Sequence, residues 1–132
     1  MDLDPSTVLA ESVVEVAAET YAVVTTDTDA DVADAFATVD DGRETTHVVA
    51  ERRLADVPAV DCEPGWRLLT FDAVLPFELV GFLAVVATAL AENDVSIFAL
   101  SAYSTDHLLV RQDDLETALE TLSARGCGVR RR

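Results

Sequence analysis

The sequence predicts an α+β fold: a ferredoxin-like βαββαβ unit in the second half, preceded by a smaller strand–helix–strand unit. Three observations predict it. Residues 66–110 pass from strand patterning to helix and then to two strand runs joined by a turn. Between Glu78 and Glu92 the chain carries no charge, too short a run to span a bilayer but apolar on every helical face. And Thr45–Ala50 (TTHVVA) is echoed by Thr105–Val110 (TDHLLV) at the same place in a second unit. The expected architecture is tandem: units at 1–62 and 63–132, with antiparallel sheets and helices packed on one face.

The elements follow in order. Residues 1–11 form a lead-in with neither the basic start nor the apolar stretch of a secretory signal. Ser12–Val16 and Thr20–Thr26 read as strands. Aspartates then offer a helix cap, and Val32, Ala35, Phe36 and Val39 recur at helical spacing before the Asp41-Gly42 stop. Glu44–Ala50 is a strand, and residues 51–65, with Pro58, Pro64 and Gly65, are the candidate linker. Trp66–Asp72 is a strand and Phe77–Ala91 a helix whose all-round apolarity demands cover on more than one side. Val95–Tyr103 and Asp106–Arg111 are strands about a Ser104-Thr105 turn. Asp113 and Glu116 form a capping-box-like pair. Behind them Leu115, Ala118, Leu119 and Leu122 make an apolar stripe, and Gly126 suits the helix stop. Cys127–Arg130 closes the order as a strand.

Composition narrows function. The chain has 132 residues, half of them hydrophobic, and a net charge of -16 from 25 acidic and 9 basic residues. All the basic residues are arginine. Nucleic acid and anionic membranes need clustered cations, and Arg130-Arg131-Arg132 reads as a solvated terminus. A lysine-free acidic surface fits a high-salt cytoplasm, where the screening length falls to about 3 Å at 1 M salt. Codon bias in a GC-rich genome would also deplete lysine. Cys62 and Cys127 have no metal or disulfide spacing.

Catalysis has a geometric obstacle. Asp106 and His107 invite a triad with Ser101 or Ser104, but adjacent strand residues face opposite sides of a sheet, so Asp106 is badly placed to orient His107. With two histidines and no ligand spacing, no metal or cofactor is expected. Asp106 is either a solvated turn residue or a counter-charge for a cation. The Leu75-Pro76-Phe77-Glu78 turn leads to Gly81 and to a helix start whose free N–H groups suit a carboxylate. Gly81 admits a close approach, or simply tight packing. An anion-seeking helix start and a cation-seeking Asp106 together match a zwitterion, and an amino acid is the simplest.

Three blocks carry a resemblance: Phe77–Ala84 (FELVGFLA), Leu90–Ser101 (LAENDVSIFALS) and Tyr103–Val110 (YSTDHLLV). Over residues 66–122 the chain resembles the ACT-domain subfamily of small tandem-ACT bacterial and archaeal proteins, which also includes the CASTOR arginine sensors of animals. With the acidic composition, this points to a haloarchaeal member. The resemblance implies a non-enzymatic regulatory protein, a homodimer, that holds an amino acid at an interface between ACT units. The ligand contacts it implies are Leu75, Pro76, Phe77, Glu78, Leu79, Val80 and Gly81 in the turn, Ser96, Ile97 and Phe98 in the next strand, and Asp106. Ala102 and Ser104 depart from the subfamily pattern, where threonine and aspartate are common. The alternative function is an interaction or oligomerisation module of the same fold that takes no small ligand.

Overall fold

The computed structural model describes residues 4–27, 29–73, 75–76 and 79–132. It mixes short helices with a largely antiparallel sheet. Compactness divides the chain at Ala18 and Trp66 rather than at residue 62: one unit joins the residues up to Ala18 to Arg67–Arg132, and the other is Glu19–Trp66. Two long strands, β1 (Val13–Thr26) and β4 (Asp61–Asp72), run from one unit into the other.

The first unit begins with α1 (Pro5–Ala10), where a lead-in was expected. Asp4 caps it by accepting from Ser6 N at 2.9 Å, Pro5 supplies a preset first-turn φ, and Leu9 is buried. From β4 onward the order is the expected one: α2 (Phe82–Ala91), β5 (Ile97–Ser101), β6 (Asp106–Arg111), α3 (Leu115–Ala124) and β7 (Gly128–Arg131). Its closing strand, however, pairs with the chain's beginning: β7 lies parallel to β1, with Val13 opposite Gly128 and Val16 opposite Arg131. The core is built by alternation. Val14, Val16, Leu69, Phe71, Leu108 and Val110 point to one face and meet Phe82, Val86 and Leu90 of α2 and Leu115, Leu119 and Leu122 of α3. Each such side chain contributes about 1.5–3 kcal/mol relative to exposure. The all-apolar α2 is flanked by α1 and α3 as well as by the strands, which is the added cover its sequence demands.

Several expectations are corrected here. α2 starts at Phe82, not Phe77, because Gly81 has φ of 90°, outside the helical region; Phe77 and Glu78 lie outside the described residues. Asp113 does not cap α3. A 3-10 turn, Gln112–Asp114, precedes the helix, and Glu116 instead accepts from Arg131 Nη2 at 2.7 and 3.0 Å. The arginine end is exposed to solvent as expected, yet it is paired: Arg130 reaches Glu15 and Asp72, and Arg132 reaches Glu15.

The second unit contains β2 (Ala37–Asp40), β3 (Thr45–Ala50) and the adjoining halves of β1 and β4. The helix expected over Val32–Val39 is absent among the described residues: Asp34 takes φ of 59°, and Phe36 N bonds Val48 O at 2.8 Å, drawing the chain into the sheet. Aspartate favours turns and caps over helix interiors, and here that preference outweighs the spacing. Val32 and Ala35 still pack inward, with Leu54 and Val57, on Ala22, Val24 and Val49. The expected linker at 51–65 is ordered, as a 3-10 turn (Glu51–Asp56) followed by the first residues of β4.

Candidate functional site

The site forms where β4 gives way to α2, beside the β5–β6 hairpin. Beyond Asp72 the chain turns: Ala73 N bonds Phe71 O at 2.9 Å and Leu79 N bonds Pro76 O at 3.0 Å. At Gly81 the positive φ redirects the chain, and Gly81 O accepts the first helical bond, from Val85 N at 3.0 Å. The first N–H groups of α2 therefore point back toward the turn without intrahelical partners. Two bonds pin the hairpin to this turn. Leu75 N donates to Ser104 O at 2.6 Å, and Thr105 Oγ1 donates to Phe71 O at 2.5 Å.

Between turn and hairpin lies a cavity of about 240 Å³. Of the sequence-expected residues, Leu75, Pro76, Leu79, Gly81 and Asp106 line it. Val80 does not; it is 80% exposed. Ser96, Ile97 and Phe98 do not line it either: Ile97 packs on the core, and Ser96 is exposed. Phe77 and Glu78 lie outside the described residues. The lining also includes Phe82, Leu83 and the hairpin residues Ser101–Thr105. Of that stretch the sequence offers Ser101 and Ser104 as triad partners, Ala102 and Ser104 as departures from the subfamily pattern and Ser104-Thr105 as a turn, none of which says what the hairpin faces.

Asp106 is the one charged side chain among the described lining residues. One carboxylate oxygen accepts from Ser101 Oγ at 2.6 Å. Leu75, Pro76, Leu79, Phe82 and Leu83 make the rest largely apolar, and the hydroxyls of Ser101, Ser104 and Thr105 offer neutral hydrogen bonds. The volume lies below the roughly 300–1,000 Å³ of sites for drug-sized ligands.

The catalytic elements do not converge. Ser101 gives its proton to Asp106, while His107 Nδ1 pairs with Thr70 Oγ1 at 2.9 Å. Burial pushes the His107 pKa below its usual value, against a smaller upward pull from Asp106. In the second unit, His47 repeats the motif. It is buried on β3, with Nε2 2.9 Å from Thr26 Oγ1 and Nδ1 2.8 Å from Thr38 Oγ1. Among the described residues no group of acidic, histidine or cysteine side chains could hold a metal, and no helix is long and apolar enough to cross a membrane.

A second cavity, of about 350 Å³, adjoins the first at Ser104 and Thr105. Its charged residues, Glu15, Asp72 and Arg132, are tied into the arginine pairing of β7.

Comparison with known proteins places this geometry. No curated protein matches the sequence. Among solved structures, protein Atu0741 from Agobacterium tumefaciens is similar at 25% identity and a TM-score of 0.79, over 92% of this chain and 93% of that one. VC0802 from Vibrio cholerae, described as a protein of unknown function and possible transport protein, shares the fold at 23% identity and a TM-score of 0.73, over 92% and 94%. The ligand-free regulatory subunit of aspartate kinase from Thermus thermophilus shares it at 11% identity and a TM-score of 0.61, over 85% and 95%. The segment that builds β4, the turn before α2, the hairpin and α3 is also recognised by sequence: residues 61–124, just under half of the chain, match the ACT domain family.

Proposed function

We propose that this chain is a non-enzymatic regulatory protein of tandem ACT-like architecture that binds an amino acid in the cavity between Pro76–Gly81 and Asp106. The observation that carries this reading is one cavity lined by both the start of α2 and the Asp106 carboxylate, with apolar walls between them. A ligand carboxylate suits the N–H groups at the helix start, and a ligand ammonium suits the Asp106 carboxylate. The aspartate kinase regulatory subunit with the same fold supports a regulatory role. The histidine–threonine pairing repeated in the two units supports an internal duplication. The acidic, lysine-free composition supports a cytoplasm rich in salt as the working medium. The working form in this reading is a homodimer.

A thermal-shift screen of the amino acids in concentrated KCl tests it. A ligand at 100 times its Kd adds about 2.7 kcal/mol of stability, readily seen as a raised Tm. Asp106→Ala should remove the shift and leave the unliganded Tm nearly unchanged; a shift that survives the substitution takes Asp106 out of the site. If no amino acid raises the Tm at millimolar concentration, the ligand reading falls. The second reading, an interaction module without a small ligand, then stands. It is favoured by Val80 and Tyr103, large apolar side chains that are 80% and 83% exposed.

A further inference from the structure

We propose that the cavity selects an amino acid with an apolar side chain, seated on the half-buried leucines Leu75, Leu79 and Leu83; this rests on the amino-acid reading of that site. A carboxylate and an ammonium are common to every amino acid, so the walls that remain must read the side chain. Those walls are an uncompleted piece of the core. Leu75, Leu79 and Leu83 pack against the buried cluster of the first unit, stay half-buried, and all three line the cavity. Beside them Phe82 is 4% exposed and meets Phe71 edge-on, with ring centroids 5.2 Å apart, so this wall is set before a ligand arrives. An apolar group entering here covers leucine surface as well as its own. Each methylene so buried is worth about fourfold in affinity.

The polar groups of the walls point to the same class through the bonds they already make. Ser101 Oγ donates its hydrogen to Asp106 at 2.6 Å, and Thr105 Oγ1 donates its hydrogen to Phe71 O at 2.5 Å. A hydroxyl has one hydrogen, so neither can also donate to the oxygen of a ligand side chain. The described lining residues include no side-chain amide and no lysine, arginine or histidine. An amide or carboxylate side chain would find at most the hydroxyls of Tyr103 and Ser104 as side-chain donors. Losing water without recovering its hydrogen bonds would cost it roughly 5- to 150-fold in affinity.

Charge disfavours the remaining classes. Asp106 is the one charged side chain among the described lining residues, and the ligand ammonium takes it. An acidic side chain would set a second negative group beside Asp106, in a chain whose net charge is already -16. A lysine or arginine side chain would bring a second cation with no second carboxylate among the described lining residues to receive it. The apolar walls would meanwhile strip that cation of water.

Titration calorimetry of the full chain in concentrated KCl tests it with ligand pairs of similar size, leucine against asparagine and methionine against glutamine. The apolar member of each pair should bind at least about tenfold more tightly. Its heat-capacity change on binding should be negative, as burial of apolar surface requires. Leu79→Ala should weaken leucine several-fold more than it weakens alanine. Asparagine or glutamine binding as tightly as its apolar counterpart overturns the proposal and leaves the amino-acid reading standing. So does glutamate, lysine or arginine binding more tightly than leucine. A folded Leu79→Ala that weakens leucine and alanine equally overturns the seat on the leucines. Binding of no amino acid at millimolar concentration overturns both this proposal and the reading beneath it. Should Leu79→Ala misfold, the ligand pairs on the wild type decide.

Discussion

Gly81 and Gly126 offer a matched pair of substitutions in one unit, differing by a single physical cause. Their φ values are 90° and 93°, so alanine at either position meets the same backbone penalty, about 1–2 kcal/mol by analogy with the left-handed region. Their surroundings differ. A Cβ at Gly81 would lie 3.6 Å from Pro5 Cγ, an ordinary contact, whereas at Gly126 it would meet Ala10 Cβ at 3.0 Å and Ala10 Cα at 3.2 Å. Gly126 closes α3 in a Schellman arrangement, with Gly126 N on Ser123 O at 3.0 Å and Cys127 N on Leu122 O at 3.2 Å, so it cannot swing aside cheaply. Ala10 ends α1, and its backbone is held too, by Asp4–Val8 pairing and the Ser12 N–Leu9 O bond. Overpacking of this kind costs about 1–3 kcal/mol. Gly126→Ala should therefore cost about 2–5 kcal/mol and Gly81→Ala about 1–2 kcal/mol. In urea at fixed KCl, with a slope of about 1–3 kcal/mol per molar, the two midpoints should separate by about 1 M. Equal midpoints would refute the close approach of α1 to the end of α3.

Stability should fall as pH drops below 6.5, the ordinary value from which burial lowers the His107 pKa. The unfolded chain takes up that proton before the folded chain does, so the loss runs from there down to the lowered folded value. His107→Gln should flatten the urea midpoint between pH 7 and 5 (roughly the histidine range), and an undiminished slope would clear His107 of the effect. Thr45 is buried and its Oγ1 has no hydrogen-bond partner, whereas Thr26 Oγ1 pairs with His47 Nε2. Thr45→Val should be neutral or stabilising, while Thr26→Val should cost about 1–3 kcal/mol by stranding a buried ring nitrogen. Calorimetry of the two variants checks the contrast, and equal losses would contradict it.

Much of the first unit was legible because its signals are local. The stripe of α3 and its Gly126 stop survive folding unchanged, since period 3.6 and a glycine of positive φ depend on nothing distant. The Val32–Val39 spacing misleads because only Val32 and Ala35 turn inward, from a turn-rich segment over a sheet, while Phe36 and Val39 are exposed. Sequence pattern divides the long β1 into two strands. Its burial alternation is interrupted around Ala18–Tyr21, where it crosses from one unit to the other, and no local pattern marks a crossing.

For the site, the sequence by itself determined the turn, Gly81 and Asp106 as candidates, because proline, glycine and a lone carboxylate after an apolar run each carry a local physical meaning. Only the tertiary structure decided which of them meet. The Leu75–Ser104 and Thr105–Phe71 bonds bring the β5–β6 hairpin against the turn before α2, adding Ser101–Thr105 to the cavity and leaving Ser96–Phe98 outside its walls. Those contacts join residues some thirty positions apart, and their partners are chosen by backbone hydrogen-bond geometry, which side-chain spacing does not record.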